Sequence, residues 1–186
     1  MLNPKIDDWF KFKGWVPHNY QIELNNKLSN LNSALVIAPT GGGKTLAGFI
    51  PAIADIIKEA PKGLHTLYIS PLKALANDIE RNLEFPIKEM ELDITLETRT
   101  GDTKQSKRNS QKHNPPHFLM TTPESFILML SWETSKKFFG NLKFLIIDEI
   151  HTLFNDKRGD LLSLGISELR NINLSLIHIS EPTRPM

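Results

Sequence analysis

Short apolar runs alternate along this chain with longer stretches in which apolar residues return every three or four positions. Ala34–Ile37, Leu64–Ile69, Ile94–Glu97, Phe118–Met120 and Leu142–Ile147 read as strands. Between them, Lys44–Ala60 predicts a helix with Leu46, Phe49, Ile50, Ile53 and Ile57 on one face, kinked or delayed by Pro51. Further helices are expected from about Ala74 to Leu83, over Pro123–Leu130 behind an opening proline, and over Leu161–Leu169. Leu142–Ile147 is apolar throughout, as suits a central parallel strand buried on both faces. Strand and helix alternating at this spacing predict an α/β domain: a parallel sheet flanked by helices on both faces. Ligands of such sheets sit at the carboxyl ends of the strands, so chemistry is sought just after each apolar run.

Composition narrows the picture only a little. The chain has 186 residues, 40% apolar and 23% charged, which suits one globular domain with a real core. A net charge of +1 means that any nucleic-acid binding must come from local patches. The absence of cysteine excludes disulfides and thiolate metal sites within the segment and fits a cytoplasmic location. Residues 1–15 mix Asp7, Asp8, Lys11 and Lys13 among aromatics, unlike a secretory signal, and no apolar run is long enough to span a bilayer.

Two motifs carry the chemistry. Ala38-Pro39-Thr40-Gly41-Gly42-Gly43-Lys44-Thr45 follows the first strand and opens the first long helix, matching G-x-x-x-x-G-K-[ST] except for Ala38 in the first position. Gly41, Gly42 and Gly43 let backbone N–H groups turn inward around a polyphosphate at the positive end of a helix. Lys44 is placed to reach the β- and γ-phosphates, and the Thr45 hydroxyl to hold Mg²⁺. Asp148-Glu149 closes the most apolar strand with two carboxylates whose side chains diverge. Asp148 suits the same Mg²⁺, and Glu149 suits a base that orients and deprotonates an attacking water. An acidic pair at a strand end is common on its own; paired with a phosphate loop it points to ATP hydrolysis.

In chain order the motifs then resemble the superfamily 2 helicases, and more narrowly the large helicase-related (Lhr) family. The matches are Ala38–Thr45, Ser70–Leu75, Arg99–Thr103, Thr121–Ser125, Asp148–His151 as D-E-x-H, and Lys157–Gly159, within roughly Trp9 to Leu169. The resemblance implies a RecA-like domain, the first of two, using ATP with Mg²⁺ to move 3′ to 5′ along single-stranded or partly duplex DNA, with a role in repair. It implies adenine reading by Gln21, with Trp15 and Tyr20 as stacking candidates, and motif coupling rather than metal binding by His151. It also implies nucleic-acid contacts from Pro71, Lys73, Arg99, Gly101, Thr122 and Pro123. Physically, Pro71–Leu75 and Thr121–Ser125 are helix starts after strands, whose free N–H groups suit backbone phosphates; an ordinary capped helix has the same signature. The run Thr98–His117 carries Arg99, Lys104, Lys107, Arg108 and Lys112 against Asp102 alone, which suits either a solvated loop or a nucleic-acid face.

The family pattern breaks after the Leu161–Leu169 helix. Where a Ser-Ala-Thr strand is expected, residues 174–186 resemble translated sequencing-adapter read-through, with a degenerate form of the family strand as the alternative. The expected domain is therefore 1–173, followed by a foreign tail. Competing readings are a DEAD-box RNA helicase, a non-catalytic ATP-switched module that binds nucleic acid, and a small-molecule kinase, for which no acceptor site is visible.

Overall fold

The computed structural model describes residues 2–28, 33–37, 43–153, 156–173 and 176–181. Six strands form one parallel sheet: β1 Ser33–Leu35, β2 Thr66–Ile69, β3 Leu96–Arg99, β4 Phe118–Thr121, β5 Phe144–Asp148 and β6 Ile177–Glu181, in the order β1-β6-β5-β2-β4-β3. Helices cover both faces: α1 Pro4–Phe12, α2 Asn19–Lys27, α3 Lys44–Glu59, α4 Lys73–Glu89, α5 Gln105–His113, α6 Pro123–Leu130, α7 Ser135–Phe139 and α8 Lys157–Ile172. The two-residue period of the central strands divides the core. Tyr68, Phe118, Met120, Phe144, Ile146 and Ile179 join residues of α1 to α4 on one face. Leu67, Ile69, Leu119, Leu145 and Ile147 join α6, α7 and α8 on the other.

Several boundaries differ from expectation for local reasons. α3 runs unbroken through Pro51, which is buried in its interior. Tertiary burial of Phe49, Ile50 and Ile53 around the proline outweighs the lost backbone hydrogen bond. α4 continues six residues beyond Leu83, because Pro86 and Ile87 are buried too and extend its apolar stripe. β3 lies two residues later than the apolar pattern suggested. The basic run contains a helix, α5, which hydrophobic periodicity could not reveal because its one buried residue is Gln111. That amide donates to Glu97 Oε2 at 2.7 Å and to the Thr98 carbonyl at 3.2 Å, tying α5 to β3. Residues 177–181, within the stretch read as a tail, form β6 between β1 and β5, with Ile179 fully buried.

The topology decides where chemistry can gather. β1, β6 and β5 form one half of the sheet, and β2, β4 and β3 the other, joined at the β5–β2 pair. Register aligns Ile69 with Thr121 and Thr121 with Arg99, so the segments after β2, β4 and β3 leave the sheet side by side.

Candidate functional site

The first half of the edge is built around Gly43, Lys44, Thr45 and Asp148. Thr40, Gly41 and Gly42, with Ala38 and Pro39, lie outside the described residues. Gly43 caps α3 with φ of 75°, in the left-handed region that glycine tolerates. A Cβ there would also come within 3.0 Å of Gln21 Nε2. Lys44 begins α3, and its ammonium is buried without a hydrogen-bond partner. A desolvated cation left unpaired is costly, and a polyphosphate at the same helix start is the natural counter-charge. Thr45 follows in the first turn.

Asp148 ends β5, half-buried, and accepts a hydrogen bond from the Tyr68 hydroxyl. Burial pushes its carboxyl above the ordinary carboxylate range, and the adjacent Glu149 charge adds to this; the Tyr68 bond and the Lys44 charge oppose it. Lys44, at the head of α3, is thus near enough for its charge to act on Asp148 at the end of β5. Tyr68 belongs to this site although the sequence reading passed over it. In register Tyr68 faces Ile146, which places it on the same sheet face as Asp148 two residues on. A tyrosine inside an otherwise aliphatic strand was the available signal, since a buried hydroxyl must find a partner.

Glu149 leaves the sheet with φ of 47°, a conformation that few non-glycine residues adopt. A 3₁₀ helix, Ile150–Leu153, follows at once. His151 Nδ1 lies 3.2 Å from Glu149 Oε2. The two carboxylates therefore occupy separate surroundings: one rests on Tyr68, and the other faces His151.

Gln21 is placed differently from expectation. It is 2% exposed; its Oε1 accepts from the His18 N–H at 2.9 Å, and its Nε2 donates to the Gly43 carbonyl at 3.1 Å. With both ends of the amide engaged inside the chain, this geometry does not present it to an adenine edge. It links the start of α2 to the phosphate loop instead. Tyr20 stacks on His18, ring centroids 5.4 Å apart, whereas Trp15 packs edge-on against Trp9 at α1.

The second half of the edge holds the other candidates. Pro71 is buried just before α4, and Lys73 begins that helix, pairing with Asp102 at 2.8 Å. Gly101 stands directly beneath Lys73, so a Cβ would lie 3.3 Å from its Nζ. Thr122 caps α6 and Pro123 starts it. The Thr121 hydroxyl donates to the Arg99 carbonyl at 2.7 Å, fastening β4 to β3 at their ends. Arg99, expected at the nucleic-acid face, makes its contacts within the chain. Its guanidinium donates to the Arg108 carbonyl at 3.0 Å and to Gln111 at 3.3 Å, and lies 4.6 Å from the centroid of Trp132. Burial, with Arg108 close by, lowers its pKa to about 10, and it remains a cation at neutral pH. Its work is to hold α5 and Trp132 against β3.

A parallel sheet with a lysine-bearing glycine loop and an acidic pair at one half of its carboxyl edge, and open helix starts at the other, is a RecA-like domain. The chain belongs to the DEAD/DEAH box helicases, whose family pattern matches residues 18–181. It is 38% identical to the ATP-dependent helicase Lhr-Core of Methanocaldococcus jannaschii, over 100% of this chain and 24% of that protein. It is 36% identical to the Lhr helicase/uracil glycosylase of Escherichia coli, over 97% of this chain and 13% of that protein. Among solved structures, the Mycobacterium smegmatis helicase Lhr bound to ssDNA and AMP-PNP superimposes with a TM-score of 0.86 at 36% identity, covering 97% of this chain and 24% of that one. The chain thus spans at most about a quarter of the length of these relatives. No helix among the described residues is long and apolar enough to cross a membrane.

Proposed function

We propose that this chain is the ATP-binding first motor domain of an Lhr-type helicase that couples ATP hydrolysis to movement along single-stranded DNA, in a repair setting. The observation that supports it most is the unpaired, buried ammonium of Lys44 at the head of α3, within electrostatic reach of Asp148. A site that keeps a cation desolvated and unpaired is organised for an anion that arrives later. Lys44 and the α3 amides hold the β- and γ-phosphates. Thr45 and Asp148 are the residues that would hold Mg²⁺, which when bound offsets charge on the phosphate oxygens. Glu149, set apart by its backbone turn, takes the proton of the water that attacks the γ-phosphorus. His151 restrains the carboxylate that does so.

The second half of the edge supplies the strand track. The α4 and α6 starts leave the sheet edge next to one another and are the helix ends that would face backbone phosphates, and Lys73 adds one phosphate contact. A second RecA-like domain, contributed by the rest of the protein, completes the ATP site. Domain closure around ATP and its release after hydrolysis move the strand. DNA is favoured over RNA because the Lhr relative of 36% identity is solved with ssDNA.

The native domain in this reading is 1–173, and residues 174–186 are a foreign segment, of which Ile177–Glu181 occupy the last strand position. Ile177 and Ile179 satisfy that slot as any alternating apolar pair would, so their fit does not identify their origin. Resequencing the gene across codon 174 decides the matter: a continuation into a Ser-Ala-Thr strand supports the reading, and the present codons in genomic DNA overturn it.

The decisive experiment is strand-stimulated ATP hydrolysis by the full-length protein and its Glu149→Gln variant. The variant is expected to lose hydrolysis by at least about a hundredfold while binding ATP as the parent does, because only the base is removed. Surviving turnover would reassign the base, and a parent that single-stranded DNA does not stimulate would sink the motor reading.

A further inference from the structure

Lys157-Arg158-Gly159 has no part in the nucleotide site or the strand track as described, yet the structure sets it between them. Arg158 stands in the first turn of α8, nine residues after Glu149. Its Nη2 donates to the Pro71 carbonyl at 2.7 Å, and its Nε donates to Glu124 Oε1 at 2.5 Å. Pro71 immediately precedes α4, and Glu124 is the second residue of α6. One guanidinium therefore joins the two helix starts that flank the proposed track. The planar fork of arginine suits this task, because two donors leave it in fixed directions toward two different acceptors.

The adjacent residue secures the same turn to the hydrolysis side. A Cβ on Gly159 would lie 2.0 Å from the Leu153 carbonyl oxygen, so the backbone of α8 rests directly on the 3₁₀ helix that begins beside Glu149. Six residues on, a Cβ on Gly165 would meet Ile127 Cδ1 at 2.4 Å and Phe126 Cε1 at 2.8 Å, so α8 is also pressed against α6. α8 is thus in backbone-close contact with the segment following the acidic pair and with a helix of the track. A movement of the 3₁₀ helix displaces the first turn of α8, and Arg158 carries that displacement to both helix starts at once.

We propose that Arg158 is a positioning residue that couples the acidic pair to the nucleic-acid track through the first turn of α8. The proposal rests on the motor reading above but makes a separate demand: Arg158 acts on the response to a strand, not on ATP.

The test uses the full-length protein with a defined single-stranded oligonucleotide. Hydrolysis is followed against strand concentration for the parent, Arg158→Ala and Arg158→Lys, with thermal melting as a check on folding. In Arg158→Ala, nucleotide affinity and strand-free hydrolysis are expected to be unchanged. The strand concentration for half-maximal stimulation should rise roughly tenfold, the scale of losing a two-pronged charge-assisted contact. Arg158→Lys, which reaches one acceptor at a time, should fall between the two. Arg158→Ala/Glu124→Ala should be no worse than Arg158→Ala alone, because both changes break one connection.

A folded Arg158→Ala protein with parental half-saturation and maximal stimulation overturns the proposal. So does an equal loss of activity with and without strand, which would mark Arg158 as structural only. If the parent itself is not stimulated, the motor reading fails and this proposal with it. Stimulation of the parent with no effect of Arg158 defeats the coupling alone.

Discussion

The two halves of the carboxyl edge treat their cations in opposite ways. In the β1-β6-β5 half, Lys44 is buried and has no hydrogen-bond partner. In the β2-β4-β3 half, the cations are engaged within the chain: Lys73 by Asp102, Arg99 by α5 and Trp132, and Arg108 by the carbonyls of Thr100 and Gly101. In the proposed reading the first half serves one polyanion of fixed shape. The second engages its guanidinium and ammonium groups within the chain, Arg108 through Nη2 while its Nε is left buried without a partner among the described residues, and it offers a strand one exposed lysine that can change partner. A site for a defined triphosphate can carry an unpaired charge, because the same ligand always returns to it. A track must release each phosphate it holds, so weak, replaceable contacts serve it better.

The strongest way to break this contrast is to remove Lys44. Lys44→Ala deletes the unpaired charge and is expected to lower hydrolysis by the full-length protein by at least about a hundredfold, the scale of losing one phosphate-stabilising group. A direct nucleotide-binding titration should show weaker binding as well. Hydrolysis within a few-fold of the parent would show that Lys44 is not the phosphate cation. Lys73→Ala, on the other half, should weaken oligonucleotide binding about tenfold at low salt and reduce the salt slope by about 0.7, one phosphate contact on a single strand. An unchanged slope would remove Lys73 from the track.

How far the sequence reached follows the same division. Lys44 at the head of a helix and Asp148-Glu149 at the end of a strand were legible because their placement is local: a few consecutive residues beside an apolar run fix where they stand. The six-strand parallel sheet was legible for five of its strands for a similar reason, since continuous apolar runs such as Leu142–Ile147 have few other uses. The packing of Arg99 against Trp132 was not legible, because Trp132 lies 33 residues on and a basic run looks the same whether its arginine faces solvent or an indole. The contact of Gln21 with Gly43 was hidden for a related reason. Its amide reaches Gly43 across 22 residues, and nothing near it in sequence shows the contact. Tyr68 went unnoticed, and Arg158 was seen as part of a motif without a role, because their contacts exist only across neighbouring elements.

A third test sharpens the nucleotide half through stability rather than rate. Asp148 is held above its ordinary pKa of 3.8 chiefly by burial, so keeping it ionised costs the folded state. A raised folded pKa contributes stability that is complete below the unfolded value and is lost as pH rises through the folded one. Asp148→Asn, which cannot ionise, should therefore melt higher than the parent at pH 7, by on the order of 2 °C. The gap should close as pH falls below 3.8, while hydrolysis is abolished at every pH. A variant that melts lower at neutral pH would mean that the Tyr68 and Lys44 interactions outweigh the cost of burial.

The smallest effect separates two accounts of the track. If Asp102 does no more than brace its own loop, Asp102→Asn should leave strand affinity unchanged or lower it. If instead it occupies Lys73 until a phosphate arrives, removing its charge should tighten binding. Both partners are exposed, Lys73 by 51% and Asp102 by 76%, so their pairing contributes only a few tenths of a kcal/mol to about 1 kcal/mol. The expected gain is accordingly about two- to threefold at low salt, and screening should erase it near physiological ionic strength. The control is Asp102→Asn combined with Lys73→Ala, in which the gain must vanish because the lysine it frees is gone. A gain that persists without Lys73 would assign Asp102 to general repulsion of the strand, and the ion pair would have no part in regulating the track.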